Sequence, residues 1–234
     1  MKKTGELYLV ATPIGNLDDL SFRAKEILEK AEIIFCEDTR RFQKLVKGRK
    51  IVPLAKIFSF FKEKEAKVTA QALEFLRQGK RVALVSDGGT PLIADPGLDL
   101  VRACQDWDIK IIPVPGPAAF LLALISSSFP VQPFSFLGFL PKKAGKRKKV
   151  FKECQQVAEK SAIKTFVFYE SPHRLLFTLK IFKEVLGNKQ IFLALELTKL
   201  HENHQLQKVE DLIQLYEEKK PKGEITGVFY LPEP

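Results

Sequence analysis

The sequence predicts an α/β fold built as two units, and three observations carry that prediction. Short apolar runs rich in β-branched residues alternate with stretches of helical period through the first half of the chain. The segment PVPGPAA, residues 113–119, is the strongest punctuation in the sequence. A second alternation of strands and helices follows it. Residues 1–115 are therefore read as an N-terminal α/β domain and residues 116–234 as a C-terminal one. In the first half, strands separated by helices imply right-handed crossovers and a mostly parallel sheet.

Each element has its own signal. Residues 6–11 read as a strand, and 18–30 as a helix with Leu20, Ala24, Ile27, Leu28 and Ala31 on one face. Residues 33–36 are a second strand. A helical stretch over 62–78 leads into the strand 82–85, whose β-branched run suits burial in a parallel sheet. A helix over 96–107, a strand over 109–113 and an apolar helix through Ile125 complete the first alternation. Beyond it come a strand at 134–139, a helix at 146–159 and a strand at 164–169. The helix that follows has Ser171 to cap it, Pro172 in its first turn and Gly187 to stop it. Its stripe is Leu175, Leu176, Leu179, Phe182 and Leu186. Residues 191–195 and 225–231 are further strands. No internal repeat or low-complexity tract is visible.

Composition bounds the class. With 45% hydrophobic and 28% charged residues the 234-residue chain is an ordinary globular sequence. Its longest apolar stretch, 118–125, falls far short of the roughly 20 residues a membrane-spanning helix needs. The apolar run at 7–11 ends at Thr12 and Pro13 without a cleavage-site pattern. A soluble, cytoplasmic protein is expected, with no membrane partner. Cys36, Cys104 and Cys154 are odd in number and widely spaced, which suggests neither a disulfide framework nor a zinc cluster.

The formal charge of +10 is concentrated. Residues 39–50 carry Arg40, Arg41, Lys44, Lys47, Arg49 and Lys50 without one acid. Residues 142–152 carry Lys142, Lys143, Lys146, Arg147, Lys148, Lys149 and Lys152, again without one. A single cluster fits a solvated face as well as a nucleic-acid contact; two shift the balance to a phosphate-rich partner.

Two loops stand out at the carboxyl ends of strands, where open α/β sheets place ligands. SDGGTPLIADPG follows the strand at 82–85, and TPIGNLDD follows the first strand. Glycines let backbone N–H groups approach a ligand, and prolines fix the loop beforehand. Asp87 is placed to accept hydrogen bonds from a ribose or an amino group. A ligand pocket is the favoured reading, and tight strand-to-helix turns are the alternative. Neither GxGxxG nor GxxxxGK[ST] occurs.

Taken in order, YLVATPIGNLDDLSFRA, EDTRR, LVSDGGTPLIADPG, VPGPAA, FLGFLPKK, FYESPHRL, ELTK with Glu202 after it, and KGE resemble the tetrapyrrole methylase superfamily along nearly the whole chain. The match is to its branch that uses S-adenosylmethionine to methylate a cytidine ribose 2′-hydroxyl in the decoding region of small-subunit rRNA. The resemblance implies two α/β domains, with the cofactor in the cleft between them, and usually a homodimer. Carried over by residue, it implies a cofactor site of Pro13, Gly15, Asp87, Gly88, Gly89, Thr90, Ile93, Ala118 and Ala119. Tyr169, Leu197, Gly223 and Glu224 would join it from the second domain. Two departures accompany the match. FSFFKEKEA stands where the family usually has a His-Asn-Glu segment, and the sequence stops at VFYLPEP where longer members continue into a helical extension. Gly88 stands where Ala is common.

Transfer to a hydroxyl needs orientation and either a base or a cation that stabilises the developing alkoxide. Glu170 or Glu196 is the candidate base and Lys199 the candidate cation. The structural alternatives are a Lys199–Glu202 pair and a helix-capping Glu170. For RNA, the candidate contacts are Arg40, Arg41, Lys146, Arg147, Lys148 and Lys149. Phe58, Phe60 and Phe61 suit base stacking, with core packing favoured for at least two of them. His201 and His204 read as a polar turn, His173 as a first-turn helix residue and Trp107 as packing; no metal is called for. The competing functions are a same-fold methyltransferase for a tetrapyrrole or other small-molecule or protein acceptor, and a non-catalytic RNA-binding homologue.

Overall fold

The computed structural model describes residues 4–61 and 65–232. The chain separates into two units, one ending at Ala118 and one beginning at Ala119. The first contains β1 (Glu6–Val10), a short 3-10 turn (Leu17–Asp19), α1 (Phe22–Lys30), β2 (Ile33–Cys36), α2 (Thr39–Gly48), β3 (Lys56–Ser59), α3 (Glu65–Arg77), β4 (Arg81–Val85), α4 (Leu98–Asp106) and β5 (Lys110–Val114). Its sheet runs β3-β2-β4-β1-β5 with every pair parallel. A parallel sheet must be covered on both faces, and this one is. Leu7, Phe35, Val82 and Leu84 pack with Ala72, Leu76, Leu100 and Cys104 from α3 and α4. Val10, Ile34, Cys36, Ala83 and Val85 pack on the other face with Ala24, Leu28 and Phe42 from α1 and α2.

The second unit contains α5 (Ala119–Ser126), β6 (Phe134–Phe139), α6 (Ala144–Lys160), β7 (Thr165–Glu170), α7 (Pro172–Leu186), β8 (Gln190–Leu195), β9 (Asn203–Lys208), α8 (Val209–Glu218) and β10 (Ile225–Tyr230). Its order is β6-β7-β10-β8-β9. Only β6 and β7 are parallel; the other pairs are antiparallel, so this sheet is mixed. A single core of Phe151, Phe166, Phe168, Phe182 and Phe229, with leucines from α7 and α8, fills one face.

Local chemistry explains most boundaries. The helix expected over 18–30 is split: Asn16 caps the 3-10 turn, and Ser21 starts α1 by accepting from the Ala24 N–H at 3.1 Å. α7 begins without a hydrogen bond from its N–H groups to the Ser171 side chain; the Ser171 N–H instead donates to Glu170 Oε1 at 2.8 Å. Gly187 ends that helix at φ 80°, the left-handed region glycine tolerates. The start of the helix read over 62–78 lies outside the described residues at 62–64, and α3 runs from Glu65.

Four elements have no counterpart in the sequence reading: α2, β3, β9 and α8. β9 is an exposed edge strand, NHQLQK, with no apolar alternation to betray it. α2 hides its buried face, Phe42 with the half-buried Leu45 and Val46, among four cations. Phe58 and Phe60 pack against Phe35, at ring-centroid distances of 5.5 and 6.0 Å, whereas Phe61 is exposed. All three cysteines are free and buried. Among the described residues, no helix is long and apolar enough to cross a membrane.

Candidate functional site

In the first unit, β1 and β4 are neighbours, so the two loops singled out in the sequence leave the sheet side by side. An isolated bridge locks them: the Thr12 N–H donates to Gly89 O and the Gly89 N–H to Thr12 O, each at 2.9 Å. Three hydroxyls finish the lock. Thr12 Oγ1 donates to Ser86 O at 3.2 Å, Ser86 Oγ to Gly89 O at 2.9 Å, and Thr90 Oγ1 to Pro117 O at 3.2 Å. Thr12 and Ser86 are buried polar residues that the sequence reading did not select; their signal was a hydroxyl at each strand end.

The glycines here have geometric work to do. Gly89 sits at φ 95°, and a Cβ on Gly88 would lie 3.3 Å from Pro13 O. Pro13, Gly88, Gly89 and Thr90 are thus brought together with the segment preceding Ala118. Gly15 sits in the exposed turn before Asn16, and Ile93 is half-buried in the β4 loop.

Asp87 does something other than wait for a ligand. Its Oδ1 accepts from the Asp38 N–H at 2.8 Å, and its Oδ2 lies 3.5 Å from Arg41 Nε. The aspartate therefore ties SDGG to EDTRR at the start of α2. Asp38 in turn caps α2 by accepting from the Arg40 N–H at 2.8 Å and holds the Arg40 guanidinium. Those bonds from Arg40 keep the Asp38 carboxyl down at about 2. Arg40 and Arg41, expected on RNA, are both engaged by these acids. Nearby, burial first, and then the charges of Glu37 and Asp87, push Asp95 up to about 7. Asp95 lines a cavity of water-molecule size with Glu37, Ser86 and Phe60.

In the second unit, Tyr169 accepts from the Phe120 N–H at 3.2 Å, and its ring meets Phe136 and Phe139. This fixes the first turn of α5, which begins at Ala119, against β7. The ELTK and KGE segments also close on each other. The Glu196 N–H donates to Glu224 O at 2.9 Å, and the Glu224 N–H to Glu196 Oε1 at 2.8 Å. Lys199 Nζ donates to Glu196 Oε1 at 2.8 Å and to Glu224 Oε2 at 3.1 Å. Gly223, at φ 79°, allows this closure, because a Cβ there would stand 2.2 Å from the Glu196 carboxyl carbon. Leu197 is buried beside it. Burial alone would raise the Glu196 carboxyl, but the bonds from Lys199 and from the Glu224 N–H outweigh it and hold it below the usual range. Burial likewise opposes the Lys199 ammonium, yet its two carboxylates raise it. The alternative Lys199–Glu202 pair does not form: Glu202 Oε2 accepts from the Thr198 N–H instead.

Two expectations are corrected. Glu170 is not placed as a base. Its side chain is fully buried, ion-paired to Arg174 and to Arg147, and it accepts from Thr178 Oγ1 at 2.6 Å. Arg147 is not an RNA contact either. Its side chain is fully buried, with Nε donating to Pro141 O at 3.0 Å and Nη1 to Thr178 Oγ1 at 2.7 Å. The helical period explains the miss: in α6, Arg147 shares the inward face with Phe151, Cys154 and Ala158. Lys148 pairs with Glu184, while Lys146 and Lys149 are exposed. His204 lies on β9, where its Nε2 is 2.9 Å from Glu202, rather than in a turn. Among the described residues, no group of three or more His, Cys, Asp or Glu side chains is placed to hold a metal.

Comparison with known proteins agrees with this architecture. A family model described as Tetrapyrrole (Corrin/Porphyrin) Methylases matches residues 6–213. Solved structures with the same fold include the cobalamin biosynthetic enzyme cobalt precorrin-4 methyltransferase. That structure has a TM-score of 0.68 and 17% identity, with 95% of this chain and 94% of that one covered. They also include uroporphyrin-III C-methyltransferase from Thermus thermophilus, described as complexed with S-adenosylhomocysteine. It has a TM-score of 0.63 and 15% identity, with 96% of this chain and 97% of that one covered. A relative named Ribosomal RNA small subunit methyltransferase I, from Thermotoga maritima, is 42% identical over 225 residues, 96% of this chain and 97% of its own. The chain belongs to the tetrapyrrole methylase family and, within it, to the ribosomal RNA small subunit methyltransferase I group.

Proposed function

We propose that the protein methylates the 2′-hydroxyl of a cytidine ribose in the decoding region of 16S rRNA, with S-adenosylmethionine as methyl donor. The observation that carries this reading is the full-length likeness, 42% identical, to a relative named for small-subunit rRNA methylation. The loop geometry supports the donor. S-adenosylmethionine supplies an electrophilic methyl on a cationic sulfonium, open to in-line attack by an oxygen. Pro13, Gly88 and Gly89 carry no charged side chain and leave backbone close to the loop surface, which suits a ribose and an adenine.

In this reading Gly15, Ile93 and Ala118 are further cofactor contacts of the first unit, and Ala119, Tyr169, Leu197 and Gly223 are those the second unit offers. Lys199 is the cation that stabilises the developing alkoxide. Two of its three ammonium hydrogens are held by Glu196 and Glu224, which leaves one for the acceptor oxygen. Glu196 and Glu224 then act as positioning residues, because an ionised, lysine-bound carboxylate is a poor base. Exposed lysines on and before α6 supply phosphate contacts.

The test is transfer of labelled methyl from S-adenosylmethionine to small ribosomal subunits lacking this modification, with the product mapped by mass spectrometry. A single 2′-O-methylcytidine is expected in the decoding region. Lys199→Met should keep S-adenosylhomocysteine affinity within about twofold while cutting turnover by about a hundredfold, the scale of one lost transition-state donor. A base-methylated product, or no transfer to the subunit, would overturn the reading.

A further inference from the structure

The first unit carries a second concavity at the amino ends of its strands, opposite to the loops described above. Glu6, Arg81 and Lys110 are cross-strand neighbours and are the first residues of β1, β4 and β5. Tyr8 pairs in the same way with Ile112. Farther along that face Val10 and Val114 are fully buried, but at Tyr8 and Ile112 the cover opens. α1 walls the opening with Arg23, Ile27 and Lys30, and the volume of this half-open concavity is about 320 Å³.

Its charges do not cancel. Of its four cations, Lys110 is bound to Glu6 at 3.0 Å and Lys30 to Glu26 at 2.5 Å. Among the described residues, the side chains of Arg23 and Arg81 make no ion pair or hydrogen bond. The backbone of Arg81 is nevertheless fixed, its N–H donating to Glu32 Oε2 at 3.1 Å and its carbonyl accepting from the Glu32 N–H at 3.0 Å. Tyr8 donates its hydroxyl to Glu6 at 2.5 Å. Burial, then that bond, pushes the phenol up to about 12, while Arg81 and Arg23 both pull it the other way, so both guanidiniums lie within electrostatic reach of it. The concavity therefore combines two unpaired guanidiniums, an aromatic ring and an aliphatic floor, a combination that suits a planar body carrying a phosphate.

We propose that this pocket binds a nucleoside monophosphate, with Arg23 and Arg81 on the phosphate and the base over Tyr8 and Ile112. Its volume is at the low end for small-molecule sites and suits one nucleotide. The carboxylates of Glu6 and Glu26 at its edge disfavour a continuous phosphodiester chain.

The test titrates the full chain with CMP, cytidine and inorganic phosphate by calorimetry at low salt. S-adenosylhomocysteine is present at saturation, and CMP avoids an adenine that the proposed cofactor loops would accept. CMP is expected to bind at least about tenfold tighter than either cytidine or phosphate alone. Arg23→Gln and Arg81→Gln should each weaken it by about tenfold without moving the thermal midpoint, and CMP should shift the amide resonances of β1 and β5. Undiminished binding in both variants would overturn the proposal, as would absence of binding at about 10 mM. Phosphate binding as tight as that of CMP would reduce the site to an anion site. Variants that lose affinity for an rRNA fragment but not for CMP would assign the pocket to RNA instead. None of these outcomes depends on methyl transfer.

Discussion

Arg147 shows how much a single residue's meaning depends on its face of a helix. In a run of seven cations it looks like one more phosphate contact, yet its guanidinium spans Pro141 O, Thr178 and Glu170 inside the second unit. Burial pulls the guanidinium pKa down, and Glu170 partly restores it. Arg147→Met leaves Glu170 buried with one partner fewer, so a loss of about 3 kcal/mol is expected. The urea midpoint should fall while the slope stays constant. Asp95 gives the corresponding prediction in pH. Its carboxyl holds a proton up to about 7 when folded, against an ordinary value of 3.8. The folded state then binds more protons than the unfolded state between those values, so the stability linked to Asp95 is complete below about 4 and is lost as pH rises through 7. Asp95→Asn should remove that slope, so its urea midpoint should change less than the parent's between about pH 5 and about pH 8.

At the scale of elements, burial in the first unit's sheet made β2 and β4 legible, because continuous β-branched runs have few other uses. α7 was legible from its stripe, its proline and its stop glycine. α8 carries an equally clear period at Val209, Leu212, Ile213 and Tyr216, but it stands between a polar edge strand and a lysine-rich turn that gave no boundary. Much the same holds for the site. Strand-end glycines marked the loops, while the Thr12–Gly89 bridge and the Glu196–Glu224 closure join residues 77 and 28 positions apart, which no local pattern reports. Gly227 is another such case: in β10 it lies opposite Phe168, whose ring would stand 2.2 Å from an added Cβ. Gly227→Ala should cost about 2 kcal/mol by overpacking. Phe168→Leu alone should also destabilise, but the double variant should be more stable than the sum of the two losses predicts, a coupling that a denaturation cycle measures.

Over the whole molecule, charge divides into cations that acids have already claimed and cations that remain for a partner. Arg40 and Arg41 on α2 and Arg49 just after it are engaged by Asp38, Asp87 and Asp18, and Lys148 on α6 by Glu184. Lys142, Lys143 and Lys146 carry no ion pair among the described residues and sit together at the start of α6. If they contact single-stranded rRNA, each released counterion should contribute about 0.7 to the slope of log affinity against log salt. Changing all three to Gln should lower that slope by about 2 and weaken binding most at low salt. Net charge alone makes a competing forecast, since the variant is also three charges less positive. Changing Lys189, Lys219 and Lys220 to Gln removes the same charge from other exposed positions, so its slope should stay near the parent's. Equal falls in both variants would mean that the RNA responds to the overall field of a +10 protein rather than to a patch on α6.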